Sequence, residues 1–198
     1  MAVHAAFNIA TFLPATLTAP ELTEDQFLAL CEKFPDSMLE YSRDGTLIIM
    51  PPSDPETGAR TSLLVYALVD WAKKTGLGTV SGPDAGFRFK DRSRRSPDAA
   101  WYNKERWRKA KESGQPFPVF APEFVIELRS PNDKIWLLQE KMEEYIDNGV
   151  QLAWLIDPAE RTVTIYRSGR TLEVLSNPAT VAGEGPVVGF VLNLDGIL

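Results

Sequence analysis

Apolar positions recur at helical spacing in several stretches of the chain. Residues 23–26 (TEDQ) resemble a capping box and predict a helix from about Glu24 to Phe34. Single apolar stripes predict two further helices, Thr57–Thr75 and Asp133–Asn148. The basic run KERWRKAKE predicts a short fourth helix.

Between these helices lie short apolar or alternating runs that are typical of β-strands. They are MLEYS, TLIIM, GTVS, GFRFK, PDAAWY, FVIELRS, QLAWLID, TVTIYR, RTLEVLS and PVVGFVLNL. The first two predict a hairpin, and the last two are expected to complete a C-terminal sheet. The order predicts one α/β domain over residues 1–198, with a mixed twisted sheet flanked by helices and an N-terminal helix and β-hairpin addition. Residues 1–20 are expected to be poorly ordered or extended.

Composition narrows the classes of function. With 198 residues, 44% of them hydrophobic, the chain can bury one substantial core. No stretch approaches the roughly 20 apolar residues of a membrane helix, so we expect a cytoplasmic protein without membrane contact. The single histidine, His4, and the single cysteine, Cys31, disfavour histidine-dependent catalysis, disulfides and cysteine-cluster zinc sites. Carboxylates and lysines are therefore expected to carry any catalysis, and Cys31 is interpreted as a small buried hydrophobe.

The net charge of −6 counts against non-specific binding of nucleic acid, but the basic residues are unevenly distributed. Ten of the 21 lie between Arg88 and Lys111. One interpretation is a solvated loop and helix face. The other is a phosphate-facing strip that binds nucleic acid through Arg92, Arg94, Arg95, Lys104 and Arg106.

Two carboxylates stand on successive predicted strands. Asp98 leads into PDAAWY, where it is either a metal ligand or a strand-entry aspartate. Glu127 lies inside the apolar strand FVIELRS, on the face shared by Val125 and Arg129. A carboxylate in such a strand needs a cation, and the alternatives are a bound metal or an ion pair with Arg129.

A lysine follows on the next predicted helix. Lys141 falls at the edge of the apolar stripe beside Tyr145, and Glu144 is expected to point further outward. From this edge, Lys141 can extend toward the end of the preceding strand, or it can form a surface salt pair with Glu140 or Glu144. Two acids that hold a hard divalent cation, with a nearby lysine, predict a metal-dependent nuclease.

The order of these residues resembles the PD-(D/E)xK nuclease superfamily, and in particular its uncharacterised restriction endonuclease branch, which is abundant in cyanobacteria. The most specific matching blocks are SPDAAW, FVIELRSP and EKMEEYIDNGV, and the resemblance runs from about Asp36 to Tyr166. It implies a restriction-endonuclease-like fold. It also assigns Asp98 as the motif-II aspartate and Glu127 as the acid of (D/E)xK. The position of the motif lysine holds Arg129, which is a departure from the pattern. The resemblance implies that Lys141, on the following helix, takes the role of the motif lysine.

The resemblance implies hydrolysis of DNA phosphodiester bonds by an endonuclease that uses Mg²⁺ or Mn²⁺ and leaves a 5′-phosphate. Metal ligands would be Asp98 and Glu127, with the Leu128 carbonyl and Glu40 as further candidates. Glu56 competes with Glu40 for the role of additional acid. Cutting both strands needs two sites, which favours a homodimer. The alternatives are a catalytically inactive DNA-binding or assembly module and, less compatible with the basic surroundings of Asp98, a glycosidase.

Overall fold

The structure is a computed structural model that describes residues 15–198. His4 and the first part of the segment expected to be poorly ordered or extended lie outside these residues. The chain divides into two compact units, Met1–Pro52 and Ser53–Leu198.

The first unit combines a helix with a small antiparallel sheet. Its elements are β1 (Ala15–Thr18), α1 (Glu24–Lys33), β2 (Met38–Tyr41) and β3 (Thr46–Met50). The strand β3 pairs with both β1 and β2, so the expected hairpin is confirmed. The capping box is confirmed too, because the side chains of Thr23 and Gln26 each accept the other residue's backbone N–H.

The core of the first unit consists of Phe27 from the helix and four sheet residues, Leu39, Tyr41, Leu47 and Ile49. Cys31 is half-buried at the border of this core. Burial raises the pKa of the Cys31 thiol, which is the opposite of the change that a nucleophilic thiol needs. This agrees with the interpretation of Cys31 as a packing residue.

The second unit contains three helices among the described residues: α2 (Pro55–Thr75), α3 (Lys104–Lys111) and α4 (Ile135–Asp147). The strands are β4 (Thr79–Ser81), β5 (Phe87–Arg88), β6 (Arg94–Arg95), β7 (Ala99–Tyr102), β8 (Phe124–Leu128), β9 (Leu152–Asp157), β10 (Thr162–Arg167), β11 (Glu173–Ser176), β12 (Thr180–Ala182) and β13 (Val191–Asn193).

Within the described residues, six of these strands form one mixed sheet in the order β11-β10-β9-β8-β7-β4. All neighbours are antiparallel except β8 and β9, which are parallel and are joined through α4. A parallel pair needs a crossover, and a helix that returns along the sheet supplies it. The mixed sheet with helices on its faces confirms the expected α/β class.

The two faces of this sheet pack against different helices. One face, with Phe124, Ile126 and Trp154, packs in a single core with Leu64 and Leu68 of α2. The opposite face, with Val125 and Ala153, packs against Met142 and Tyr145 of α4. The alternation expected along FVIELRS is therefore confirmed.

The strands differ from the expectations in two places. The run PVVGFVLNL does not extend the large sheet, because residues 185–187 form a 3-10 turn and β13 pairs with β12 in a separate hairpin. The basic stretch before PDAAWY contains a short strand that the sequence patterns did not predict. Its residues Arg94 and Arg95 form β6 and pair with β5, and the turn is at Arg92, which has a left-handed φ of 75°.

No helix within residues 15–198 has both the length and the apolar character needed to cross a membrane.

Candidate active site

The acids Asp98 and Glu127 lie where β7 begins and β8 ends, at one edge of the sheet. The two strands are antiparallel, and Ala99 pairs with Ile126. If the register is continued by one residue, Asp98 is opposite Glu127. The backbone N–H of Leu128 donates a hydrogen bond to Asp98 Oδ2 (2.7 Å). The register and this bond together hold the two carboxylates at neighbouring strand ends.

The Glu127 carboxylate is buried, with 4% of the residue exposed. Its Oε1 lies 2.9 Å from Lys141 Nζ and accepts a hydrogen bond from the Tyr145 hydroxyl (2.7 Å). A buried carboxylate is stable only when charge and hydrogen bonds compensate the loss of hydration. Lys141 and Tyr145 of α4 provide both.

Lys141 is directed inward, with 8% of the residue exposed. In addition to Glu127, its ammonium lies 3.5 Å from the Ser96 carbonyl oxygen and 5.9 Å from the centre of the Tyr145 ring. The alternative of a surface salt pair was therefore wrong. The side chain extends along α4 toward the end of the preceding strand, as the helical pattern allowed.

Arg129 does not pair with Glu127, so that alternative was wrong as well. Its Nη1 lies 2.7 Å from Asp157 Oδ2 at the end of the adjacent strand β9. The backbone N–H groups of Ala159 and Glu160 donate to the other oxygen, Oδ1. Asp157 thereby fixes Arg129 beside the acids, a contact that sequence analysis missed.

Glu144 was expected to point outward, and this was wrong. Only 2% of the residue is exposed, and Arg95 binds it in bidentate fashion, with Nε to Oε1 at 2.8 Å and Nη2 to Oε2 at 2.9 Å. Such fork-like pairing is the strongest geometry available to a guanidinium and a carboxylate. The pair ties α4 to the β5–β6 hairpin.

One more polar contact lies further along α4. The Asn148 amide donates to Asp91 Oδ2 (2.6 Å) and to the Glu144 carbonyl (2.9 Å). Lys141, Glu144 and Asn148 are spaced by three and four residues, so they share one face of the helix. The three form a buried polar row, and their spacing was the signal in the sequence that could have revealed it.

The five arginines and lysines expected to face phosphate divide into two groups. Arg94 and Arg95 are buried, so the structure does not place them on an accessible strip. Burial lowers the pKa of Arg94 to about 10, which leaves it charged at neutral pH. Arg92, Lys104 and Arg106 are exposed. The interpretation as a phosphate-facing strip therefore has to be restricted to these three.

The two further acids lie in different surroundings. Glu40 is buried in β2 of the first unit, where it pairs in register with Ile48. Glu56 is exposed in the first turn of α2 and forms an ion pair with Arg60 (2.7 Å). A catalytic role for either acid stays a prediction.

The donor set of the site fits a small, hard cation. Within residues 15–198, no three His, Cys, Asp or Glu side chains converge in a manner that would hold a metal ion. Mg²⁺ does not require such a cage, because it is usually held by one or two carboxylates and retains water and substrate oxygens as its other ligands. The adjacent carboxylates of Asp98 and Glu127 meet this requirement.

The fold places the chain in the restriction-endonuclease-like class. The structure is similar to the crystal structure of "a putative nuclease belonging to DUF820 from Anabaena variabilis ATCC 29413". The TM-score is 0.74 at 26% sequence identity, and the match covers 87% of this chain and 95% of the other.

The family is defined by the sequence itself. Residues 24–195 match the Uma2 family, which is described as "Putative restriction endonuclease", and the chain belongs to this family. None of the curated proteins is significantly similar to the chain.

Proposed function

We propose that the protein is an endonuclease that hydrolyses DNA phosphodiester bonds with Mg²⁺ or Mn²⁺. Asp98 and Glu127 would hold the cation, with the Leu128 carbonyl as a further oxygen ligand. The bound cation would polarise the scissile phosphate and lower the pKa of a coordinated water. Membership of a restriction endonuclease family supports the reaction class, and the paired carboxylates support the metal.

Lys141 and Arg129 have different roles in this proposal. The Lys141 ammonium lies against the Glu127 carboxylate and would orient the attacking water. Its charge would also help to deprotonate that water by stabilising the hydroxide that forms as the proton passes to solvent. Arg129 stays protonated at any relevant pH and cannot act as a base. Its side chain is partly exposed beside Asp157, where it can balance the charge that develops on phosphorus.

The observation that carries the proposal is the contact between Lys141 and Glu127 at 2.9 Å. The lysine of a (D/E)xK site normally stands two residues after the acid, and here that position holds Arg129. A lysine from α4 nevertheless reaches the same carboxylate. The constellation of two acids and a lysine is therefore assembled in space although its order along the chain differs.

The test is cleavage of supercoiled plasmid and of single-stranded DNA in Mn²⁺, with the wild type and Asp98→Ala prepared identically. Asp84→Ala is a matched control, because Asp84 also follows a proline but is exposed and outside the site. We expect cleavage by the wild type and the control and none by Asp98→Ala. Cleavage that survives in Asp98→Ala, at an equal fraction of folded protein, would overturn the assignment.

One observation favours a second candidate, a nuclease fold that binds DNA without cutting it. The motif position holds Arg129, and its guanidinium is engaged by Asp157 rather than by the acids. This candidate predicts DNA binding that falls steeply with salt and does not require a divalent metal. Metal-dependent nicking by the wild type would exclude it.

The homodimer is part of the same proposal, because one active site cuts one strand at a time. Sedimentation of the purified protein would determine its mass relative to the 22.0 kDa chain. A monomer that linearises plasmid DNA in one step would contradict this part of the proposal.

A further inference from the structure

A polar cavity lies in the second unit, which also contains the candidate active site. Neither Asp98 nor Glu127 lines this cavity. It has a volume of about 400 Å³, within the range typical of small-molecule sites. Three basic residues, Lys90, Arg106 and Lys109, line it, and none of its lining residues is acidic. This concentration of positive charge is notable in a chain with a net charge of −6. We call this cavity the basic pocket.

Arg106 is held in a fixed position. It forms an ion pair with the buried Glu123, donates a hydrogen bond to the Ala121 carbonyl (3.3 Å) and lies over the Phe120 ring at 5.1 Å. A guanidinium has five N–H donors, so these contacts leave donors for a ligand. Arg106 therefore offers prepositioned donors without a large loss of side-chain entropy on binding.

The two lysines complement this fixed group. Lys90 follows β5 and Lys109 lies in the last turn of α3, and both are exposed. Neither forms an ion pair within residues 15–198, although Lys109 helps to lower the pKa of Glu105. The charge of Lys90 and part of that of Lys109 are therefore available to a ligand. Lysine acts as a mobile point charge for phosphate, whereas arginine binds it with fixed geometry.

The inner wall of the basic pocket is rigid and mostly apolar. Phe89 and Phe120 are buried there, and Asn148 is held by its hydrogen bonds to Asp91 and Glu144. The two lysines and the remaining donors of Arg106, whose own charge is balanced by Glu123, match the multiple oxygens and the negative charge of a phosphate group.

The place of the basic pocket in the fold connects it with the candidate active site. Glu123, the partner of Arg106, lies immediately before β8 and precedes Glu127 by four residues, which corresponds to about 13 Å along an extended chain. Because successive nucleotides of a duplex rise by about 3.4 Å along its axis, a DNA strand bound at the acids can place a phosphate a few nucleotides away at the pocket.

We propose that the basic pocket binds a phosphate group, and that its source is the nucleic acid whose scissile bond lies at Asp98 and Glu127. The source rests on the proposed function, whereas binding of phosphate does not. A free mononucleotide carries the same chemistry, and the experiment separates the two sources.

The test variant is Lys90→Gln/Lys109→Gln in the full chain. Its control is Lys33→Gln/Lys73→Gln, which removes the same charge from two exposed lysines outside the pocket. Arg106 is left in place because its removal would leave the buried Glu123 without its ion-pair partner. A labelled single-stranded oligonucleotide is titrated by fluorescence anisotropy at several salt concentrations in EDTA. Inorganic phosphate and AMP are titrated separately, with the side-chain amide resonance of Asn148 as the readout.

For the wild type and the control, we expect tight oligonucleotide binding and a shift of the Asn148 resonance with phosphate. In the variant, the slope of log K against log salt should fall by about 0.7, because one phosphate contact is lost and each such contact on a single strand contributes about 0.7. The Asn148 shift should also disappear.

The outcomes are distinguishable. Loss of phosphate and AMP binding with unchanged oligonucleotide binding would support the phosphate site and overturn the nucleic-acid source. No effect of phosphate in the wild type, or equal behaviour of variant and control, would overturn the basic pocket altogether. Because binding is measured in EDTA, absence of cleavage by the wild type would refute the proposed function and with it the link to a scissile bond, but it would leave the phosphate site standing.

Discussion

The two faces of the six-stranded sheet are built differently. The face against α2 is apolar, with residues such as Phe124, Trp154 and Leu68 in one continuous core. The face against α4 contains apolar side chains too, but it also buries Glu127 with Lys141 and Glu144 with Arg95. The same strands therefore provide a dry core on one side and a charged interior on the other.

The difference shows how the fold separates stability from chemistry. Burial of apolar surface stabilises a fold without geometric precision, whereas a buried ion pair at best compensates its own desolvation. The α4 face therefore adds little stability for the charges that it buries. These charges instead fix the positions of the side chains, since they hold Lys141 against Glu127 at the sheet edge where Asp98 also lies.

The largest effect is expected from Lys141→Met. Removal of a catalytic proton-transfer or orienting group should lower cleavage by about 10²–10⁴-fold. The same change leaves the buried Glu127 without its ammonium and should lower the free energy of unfolding by about 3–5 kcal/mol. Plasmid nicking and urea denaturation would measure the two effects.

Two companion variants separate activity from stability at this position. Lys141→Arg keeps the charge beside Glu127, so it should unfold almost as the wild type does while cleavage stays low. Lys141→Met combined with Glu127→Gln removes both charges and should regain stability without regaining cleavage. Recovery of cleavage in the double variant would contradict a catalytic role for this pair.

The second prediction concerns the apolar face. Trp154 is fully buried. Its ring centre lies 4.8 Å from that of Phe124, and it stacks on Phe190 with 5.7 Å between the ring centres. Trp154→Ala should lower the free energy of unfolding by about 3–5 kcal/mol through the cavity that it creates. Cleavage per folded molecule should not change, and thermal denaturation with a parallel nicking assay would show this.

Trp154→Phe refines the same prediction. Trp154 Nε1 is buried and has no hydrogen-bond partner within residues 15–198, so replacement of the indole breaks no hydrogen bond. The phenylalanine variant should therefore be much more stable than the alanine variant. The exposed Trp136 serves as control, since Trp136→Ala should leave stability nearly unchanged. Equal losses at the two tryptophans would refute the assignment of the dry core.

A smaller effect is expected from Glu144→Gln on the charged face. The substitution keeps the shape of the side chain but removes the charge that Arg95 binds, at a cost of about 1.5–3 kcal/mol. Because the pair ties α4 to the β5–β6 hairpin, cleavage by the remaining folded protein should decrease. Unchanged cleavage per folded molecule would mean that the pair contributes to stability alone.

Sequence patterns predicted most of the fold for local reasons. The capping box at Thr23, the apolar stripes and the alternation along FVIELRS depend on neighbouring residues, and the structure confirms each of them. The two-residue strand β6 was missed because Arg94 and Arg95 become a strand only through pairing with β5. Such tertiary pairing leaves no local signal.

The candidate site was predictable to a lesser degree. The sequence indicated Asp98, Glu127 and Lys141, and the structure brings them to one edge of the sheet. The partners of the charges were not predictable, because Arg129 lies nearer Glu127 along the chain yet binds Asp157 on the next strand. Charge partners follow from the packing of elements, and helical spacing shows only that Glu144 shares a face with Lys141.

The smallest effect is expected at the helix that covers the apolar face. Asp54 caps the N-terminus of α2, where its carboxylate accepts the Thr57 hydroxyl (2.6 Å) and the backbone N–H groups of Glu56 and Thr57. These hydrogen bonds, chiefly that of the Thr57 hydroxyl, lower the pKa of Asp54. A lowered pKa in the folded state means that the contribution to stability is present above the unfolded value of about 3.9 and is lost as pH falls through the folded value.

Asp54→Asn tests this contribution, because asparagine caps a helix without a titrating charge. Between about pH 5 and pH 3, the Tm of the wild type should fall slightly more than that of the variant. The difference should be small, since Asp54 is exposed to solvent and salt. If both proteins lose Tm equally, the acid sensitivity arises elsewhere, and the buried carboxylates of the α4 face become the groups to examine. The apolar face would then be insensitive to pH even at its helix cap, which would sharpen the contrast between the two sides of the sheet.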